Sequence, residues 1–441
     1  MKNFIATLVC LATLLVSPAF AGADGTTSLK ETVVAAVKQH PQIKALLYNR
    51  DAQSSNLAAA LGRFFPSLDL TSNAGFQQYR SSTTRGNDTE NRHRTATDTT
   101  LALTLNVFDG MDRIYTYKGS KARLESAKYR LRDNVETVGL DAIRAHHNVV
   151  RERDLVKLAE ENVEKHHELL DSITERVQAG ATSLADETQA KSRLARAFTT
   201  LITYKGNLRT AEADYTRVTG KAPGVLSTPQ FHPEYVEDME KVLKRTMDNN
   251  PKIKTSKADL VASEKDEMVA ESDFYPNVDV VVSSRNTDNL DGSDSYYQDN
   301  SAMLQMSWNL FSGGSDYSET KAAKARVGEA KSNLQDTTDD LIRQVVTAWT
   351  EYETAVSQVE NYERALGYSI ETRDMYLVQF NVGQRSLLDV LDSINEVFSN
   401  SVLLETAKTN RSFSLYKLVT LRGDLVHTLE VAEKTYDPES K

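Results

Sequence analysis

The side chains able to do chemistry in this sequence are carboxylates and imidazoles, and their spacing offers no catalyst. Asp389 and Asp392 stand three apart, so a helix holds both on one face, with Arg385 one turn before Asp389. By itself such a pair reads as a solvated, self-repelling face. His146-His147 and His166-His167 could serve a metal, but adjacent helical residues diverge by ~100° and no H-E-x-x-H is present. Acidic neighbours such as Glu160-Glu161 are abundant, yet nothing sets them beside a nucleophile or base. The phosphate-cradling patterns G-x-G-x-x-G and Walker A are missing, as is the G-x-S-x-G elbow. The reading is no enzyme, no cofactor and no metal site.

Cys10, the only cysteine, lies in an apolar run over residues 4–16. Lys2 precedes that run and Ala19-Phe20-Ala21 follows it as an A-x-A site, so residues 1–21 read as an export signal. Cleavage removes Cys10 and leaves no disulfide or thiol. Cys10 follows Val9 in mid-run rather than closing a complete apolar region, which argues against a lipid anchor. The 52 basic and 62 acidic side chains give a net charge of −10, which disfavours nucleic acid as a partner. Mean hydropathy is −0.47, and no apolar run reaches the ~18 residues of a membrane helix. An exported chain of this kind can still enter a membrane as a barrel.

The chain contains itself twice. His40-Pro41-Gln42-Ile43-Lys44 returns 210 residues later as Asn250-Pro251-Lys252-Ile253-Lys254, and Phe65-Pro66-Ser67-Leu68-Asp69 returns as Tyr275-Pro276-Asn277-Val278-Asp279. Farther on the offset is 203: Asn106-Val107-Phe108-Asp109-Gly110 pairs with Asn309-Leu310-Phe311-Ser312-Gly313, Gly180 with Gly383, and Gly220 with Gly423. A connector between residues 66 and 108 is therefore seven residues longer in the first copy, and the rest is an internal duplication.

Within each copy the hydrophobic period changes from two to about three and a half. Leu68 and Leu70, then Leu101, Leu103, Leu105 and Val107, alternate with polar residues, as do Val278, Val280 and Val282, and Leu304, Met306, Trp308 and Leu310. Each run matches the ~9–11 residues of a tilted membrane strand. From residue 111 the pattern is helical, and no proline occurs between Pro66 and Pro223 or between Pro276 and Pro438. Val135, Ala142, Val149, Val156, Val163, Leu170 and Val177 form a heptad seam that asks for a partner helix. A helix over 111–179 is a rod of ~100 Å, longer than any globular domain.

Four strands cannot close a barrel, and an open edge in lipid leaves backbone groups unsatisfied, so the chain must oligomerise. The duplicated unit of two strands, a very long helix, a glycine turn and a returning helix, behind an export signal, resembles the TolC family of outer-membrane efflux and secretion ducts. The most specific segment is Phe380-Asn381-Val382-Gly383-Gln384-Arg385-Ser386-Leu387-Leu388-Asp389-Val390-Leu391-Asp392, which is similar to the family's signature at the periplasmic helix turn. The resemblance implies an α+β membrane protein: a trimeric 12-stranded outer-membrane β-barrel continued by an α-helical coiled-coil periplasmic tunnel. It also implies an aperture at which three copies of Asp389 and Asp392 converge, with Arg385 and Asp186 in links that hold it shut. Phe380 stands where the family often has tyrosine. Gly180 and Gly383 are the helix-turn glycines, and Trp308, Phe311 and Phe108 are expected at the membrane interface.

The expected organisation is a signal peptide over 1–21, a first repeat over 22–220 and a second over 251–423. The first carries strands near 67–80 and 96–108 and helices over 111–179 and 184–219. The second carries strands near 277–285 and 301–311 and helices over 315–382 and 387–421. An equatorial linker over 221–250 and a tail over 424–441 complete the chain. The implied function is the exit duct of a tripartite system, a homotrimer in outer-membrane lipid fed by an inner-membrane ABC or RND transporter through a periplasmic adaptor (membrane fusion protein). Absent lipidation favours type I protein secretion over multidrug efflux. A periplasmic coiled-coil scaffold or adhesin stalk is the reading from another class, and the alternating strands argue against it.

Overall fold

A computed structural model describes residues 25–292 and 295–437. The expected export signal, with Cys10, lies outside the described residues, as do residues 438–441. In chain order the elements are α1 (Leu29–Gln39), α2 (Pro41–Gly62), β1 (Ser67–Gln77), the short α3 (Ser82–Gly86), β2 (Arg94–Asp109), α4 (Asp112–Gln178) and α5 (Leu184–Thr219). Then come α6 (Met239–Asn249), α7 (Pro251–Ser272), β3 (Asn277–Asp288), β4 (Tyr296–Ser307), α8 (Ser315–Asn381), α9 (Leu387–Leu421) and the short α10 (Leu425–Thr428). The repeated prolines, Pro41 and Pro251, open α2 and α7 at the first helical position, where a missing N–H costs nothing.

The four strands form one antiparallel sheet in the order β1-β2-β3-β4, so the two repeats are fused through β2 and β3. Its register lines up Leu68, Leu103, Val282 and Ala302 across all four strands, and Leu105, Val280 and Leu304 across three. Asn106, Asp279 and Gln305 align on the opposite face, where the Asn106 amide donates to Asp279 at 2.9 Å. One face is thus apolar and the other polar, and β1 and β4 are open edges. β4 ends at Ser307, short of the expected residue 311, so Trp308 and Phe311 lie beyond the strand. A bulge at Val107 restarts the ladder at Phe108, opposite Val278 on the apolar face.

Away from the sheet, α4 and α8 are 67-residue helices, each about 100 Å long. The α4 seam runs as expected through Val135, Ala142, Val149 and Val156. Below that it moves: Val163, Leu170 and Val177 are only half-buried, while Asn162, His166, Leu169 and Ile173 are buried. The partners of α4 change along its length. Arg123 and Arg130 meet Asp266 and Asp259 of α7, whereas Glu160 meets Lys205 of α5.

The segment expected as a linker contains α6, and with α1 and α10 it wraps the middle of the rods. Val33, Val37, Ile143, Leu415, Val419 and Leu425 form its core. His146 Nε2 donates to the Ser227 carbonyl and its Nδ1 accepts from Thr32, while His147 donates from Nδ1 to the Ile143 carbonyl and accepts from Ser412. The first histidine pair is thereby a structural hydrogen-bonding element. Glu136 accepts the Leu425 and Val426 amides at 2.9 and 3.3 Å, pinning the C-terminal segment.

Burial pushes His147 down to about 4 from 6.5, so acidification across that interval protonates the unfolded chain first and removes stability. Burial pushes Glu136 up to about 8 from 4.5, so its contribution is complete below 4.5 and is lost as pH rises through 8. The slopes offset between these ranges, and above pH ~6.5 the Glu136 slope stands alone. Glu136→Gln is expected to flatten the loss from pH ~6.5 to ~8, about 2 kcal/mol per chain, in thermal unfolding. An equal loss in the variant would remove Glu136 from this role.

Candidate functional site

The two long hairpins end at the same pole, opposite the sheet. In the first, Gly180 (φ +71°) leaves α4 and Ser183 caps α5, its hydroxyl accepting the Asp186 amide while the Asp186 carboxylate reaches back to the Ser183 amide. Asp186 also accepts from the Thr182 and Ser183 hydroxyls at 2.5 and 3.0 Å, and these bonds hold its carboxyl below the usual range. The second hairpin repeats the device with Gly383 (φ +78°) and Ser386, whose hydroxyl accepts the Asp389 amide and donates to its carboxylate at 2.8 Å. Leu169 and Ile173 pack with Leu387, Val390, Leu391 and Ile394, joining the hairpins in one apolar cluster.

On that base the charged residues separate into two groups. Arg385 stays within its own hairpin: its guanidinium lies 3.9 Å from the Tyr376 ring centroid, Nε donates to Gln379 at 3.2 Å, and Nη1 stands 3.8 Å from Asp389. Asp389 and Asp392 remain open to solvent, but Asp392 is engaged by Arg193 of α5 at 2.8 Å. Phe380 carries the Arg176 guanidinium over its ring at 4.7 Å, and Arg176 also donates to Asn381 at 2.9 Å and to the Phe380 carbonyl at 3.4 Å. Among the described residues no hydrogen bond or ion pair joins Arg385 to Asp186.

The structure therefore brings Arg385 to Asp389, sets Asp392 with Arg193, and holds Asp186 in its own turn. Arg176, Arg193 and Tyr376 escaped the sequence reading. A signal was available for the arginines, because at the repeat offset the second copy has Gln379 and Glu396 in their places.

At the other pole Phe108, Trp308 and Phe311 are exposed at the foot of the sheet, and the Trp308 indole donates to the Phe274 carbonyl at 3.2 Å. Gly110 (φ +64°) turns β2 into α4 there. Among the described residues no group of three or more His, Cys, Asp or Glu side chains could hold a metal ion, and no helix is long and apolar enough to cross a membrane.

The family described as outer membrane efflux protein matches residues 32–221 and 242–424. The chain is 23% identical over 425 residues to the outer membrane efflux protein BepC of Brucella suis biovar 1 (strain 1330), covering 94% of this chain and 90% of that protein. It is 21% identical over 403 residues to the outer membrane protein TolC of Escherichia coli (strain K12), covering 88% and 80%. Its fold superposes on the crystal structure of a membrane protein from Pseudomonas aeruginosa with a TM-score of 0.81 at 16% identity, covering 92% of each chain.

Proposed function

Because this chain belongs to the outer membrane efflux protein family, we propose that three copies close a 12-stranded barrel and a helical tunnel, forming the exit duct of a tripartite transport system. The observation that carries this reading is the sheet with one apolar face and two open edges, standing at one end of rods ~100 Å long. Lipid offers no partners for the unpaired groups of β1 and β4, so the edges of neighbouring copies must pair. Four strands per chain make twelve in a trimer. Phe108, Trp308 and Phe311 then meet the membrane interface, and the helix turns hang in the periplasm.

In this assembly Arg385 leaves its own turn to reach Asp186 of the next copy, latching the aperture, while an inner-membrane ABC or RND transporter and a periplasmic adaptor supply cargo from below. Type I protein secretion is the leading cargo reading, since the expected leader carries no lipidation cysteine. Small-molecule efflux is the second reading, favoured by the name of the Brucella relative. A heat-modifiable trimer in the outer-membrane fraction that conducts in planar bilayers is the expected result, and a water-soluble monomer would end the proposal. Deleting the gene separates the cargoes: secretion predicts loss of a protein from the culture supernatant, efflux predicts hypersensitivity to dyes and detergents. Arg385→Ser is expected to raise resting conductance about fivefold, since an exposed ion pair contributes up to ~1 kcal/mol. Unchanged conductance would remove Arg385 from the latch.

A further inference from the structure

The apolar face of the sheet changes character at one height. Rungs read across the strands at Phe108, Leu105 and Leu103 are apolar on every strand they cross. The rung of Leu70 and Leu101 is mixed, holding Ser284 on β3 and Asn300 on β4. The next is polar throughout, Ser72–Thr99–Asn286–Gln298, and the last to cross all four strands joins Ala74, Thr97, Asp288 and Tyr296. Resting on the trimeric duct reading, which turns this face to the membrane, we propose that these two upper rungs bind the saccharide headgroup of the outer-leaflet glycolipid.

Height places them in the headgroup layer. Successive rungs are two residues, about 6.7 Å, apart, so from Phe108 to Leu101 the apolar band runs ~20 Å along the strands, or ~15 Å along the axis of a barrel whose strands tilt by ~40°. Trp308, Leu310 and Phe311, exposed below Met306, carry it on toward the ~25 Å of a membrane barrel. Hydrocarbon therefore ends near Leu101, because the amides of Asn286 and Gln298 have no place in it. The connectors that follow Gln77 and Asp288 lie higher still, so the two polar rungs stand between acyl chains and outer loops. On the outer side of an outer-membrane barrel that layer is sugar rather than open water.

The side chains suit that partner. On the opposite face, at the same height, polar groups satisfy one another: Arg285 donates to the two carboxylate oxygens of Asp98 at 2.9 and 2.8 Å, and the Ser283 and Ser301 hydroxyls meet at 3.0 Å. The membrane-facing rungs are arranged otherwise. The Tyr296 hydroxyl lies 3.1 Å from Asn286 Oδ1 and 3.3 Å from Gln298 Oε1, which occupies both amide oxygens. Among the described residues neither amide NH2 group has a hydrogen-bond partner, so both remain as donors. Beside them the Tyr296 ring is 66% exposed and presents an apolar face. Amide donors next to an open aromatic ring fit a sugar, whose hydroxyls accept hydrogen bonds while its C–H face lies on the ring. Asp288, the charged member of the two rungs, accepts from sugar hydroxyls and repels phosphate, so the surface favours the saccharide of the glycolipid over its phosphates.

Lipid titration followed by native mass spectrometry of the detergent-solubilised trimer tests this, with short-core lipopolysaccharide as one probe and phosphatidylglycerol as the other. The wild type is expected to hold the lipopolysaccharide more tightly than the phospholipid. Asn286→Val with Gln298→Val should weaken lipopolysaccharide about tenfold and leave phosphatidylglycerol unchanged, as the loss of several hydrogen bonds implies. Ser283→Ala with Ser301→Ala, at the same height on the opposite face, should change neither. Should the valine pair fail to assemble, Asn286→Ala alone, expected to weaken lipopolysaccharide about threefold, carries the test. Equal affinity of wild type and variant for lipopolysaccharide, an equal loss in the serine control, or a wild type that prefers the phospholipid would overturn the saccharide surface while leaving the duct reading intact. A wild-type chain that stays a water-soluble monomer would overturn the duct reading, and the inference with it.

Discussion

Replacing Asp389 and Asp392 together by alanine is expected to abolish block of the channel by divalent cations while leaving the trimer assembled. Both side chains are solvent-facing and carry no packing load, so the effect should be electrostatic. Two unit charges ~4 Å apart repel by about 1 kcal/mol in water and about 4 kcal/mol at an effective dielectric of 20. In the proposed trimer, three converging copies favour either separation or a bound cation. The two carboxylates are not equal, however. Arg193 neutralises Asp392 at 2.8 Å, whereas the guanidinium nearest Asp389 stands 3.8 Å away and its firm partner is the neutral Ser386 hydroxyl. Asp389→Ala alone should then account for most of the loss, raising the half-blocking concentration at least about tenfold, or roughly 1.4 kcal/mol. Asp392→Ala alone should do less. Block that survives in the double variant would place the cation elsewhere.

Gly110→Ala should prevent assembly of the heat-resistant form. Gly110 sits where β2 turns into α4, with φ +64°, a conformation that costs an L-residue roughly 1–2 kcal/mol. An added Cβ would also lie 2.6 Å from the Ser272 carbonyl oxygen and 2.9 Å from Tyr275 Cβ. That carbonyl is backbone at the end of α7, so relief requires moving the β2–α4 elbow against α7 of the other repeat. The elbow is fastened besides by Arg113, which donates to Asp109 at 2.6 Å and to the Asn106 carbonyl at 2.7 Å, so it cannot yield alone. Strain and overpacking together amount to about 3 kcal/mol or more per chain. Gly180→Ala is the internal comparison: its φ is +71°, but nothing lies within 4 Å of the added methyl, so only the backbone cost applies. Equal yields of assembled trimer from the two variants would show that the elbow tolerates displacement.

The corrections the structure makes to the sequence reading share a pattern. Alternation placed Val107 among the apolar strand positions, and the bulge gives that row to Phe108 instead. A bulge depends on how the neighbouring strand fits, and β3 lies far along the chain, in the other repeat. Heptad spacing carried the seam down through Val163 and Leu170, while in the fold it shifts to Asn162 and Leu169, along the stretch of α4 that packs on α5 and α9. Local pattern identifies a stripe but does not register which partners it meets. Asp389 and Asp392 read as equivalent because they share a helix face; Arg193, which separates them, lies 199 residues away.

The duplication, the change of period from strand to rod, the helix-turn glycines and the incompleteness of a four-stranded sheet were legible in the residue order. All of these follow from covalent geometry and neighbouring residues. Which carboxylate has an arginine partner, which arginines cross between hairpins, and which backbone carbonyl crowds Gly110 became visible in the folded chain alone. Those answers depend on the rotation and height of one long helix against another, which are set by packing summed over the whole rod and written in no single stretch of residues.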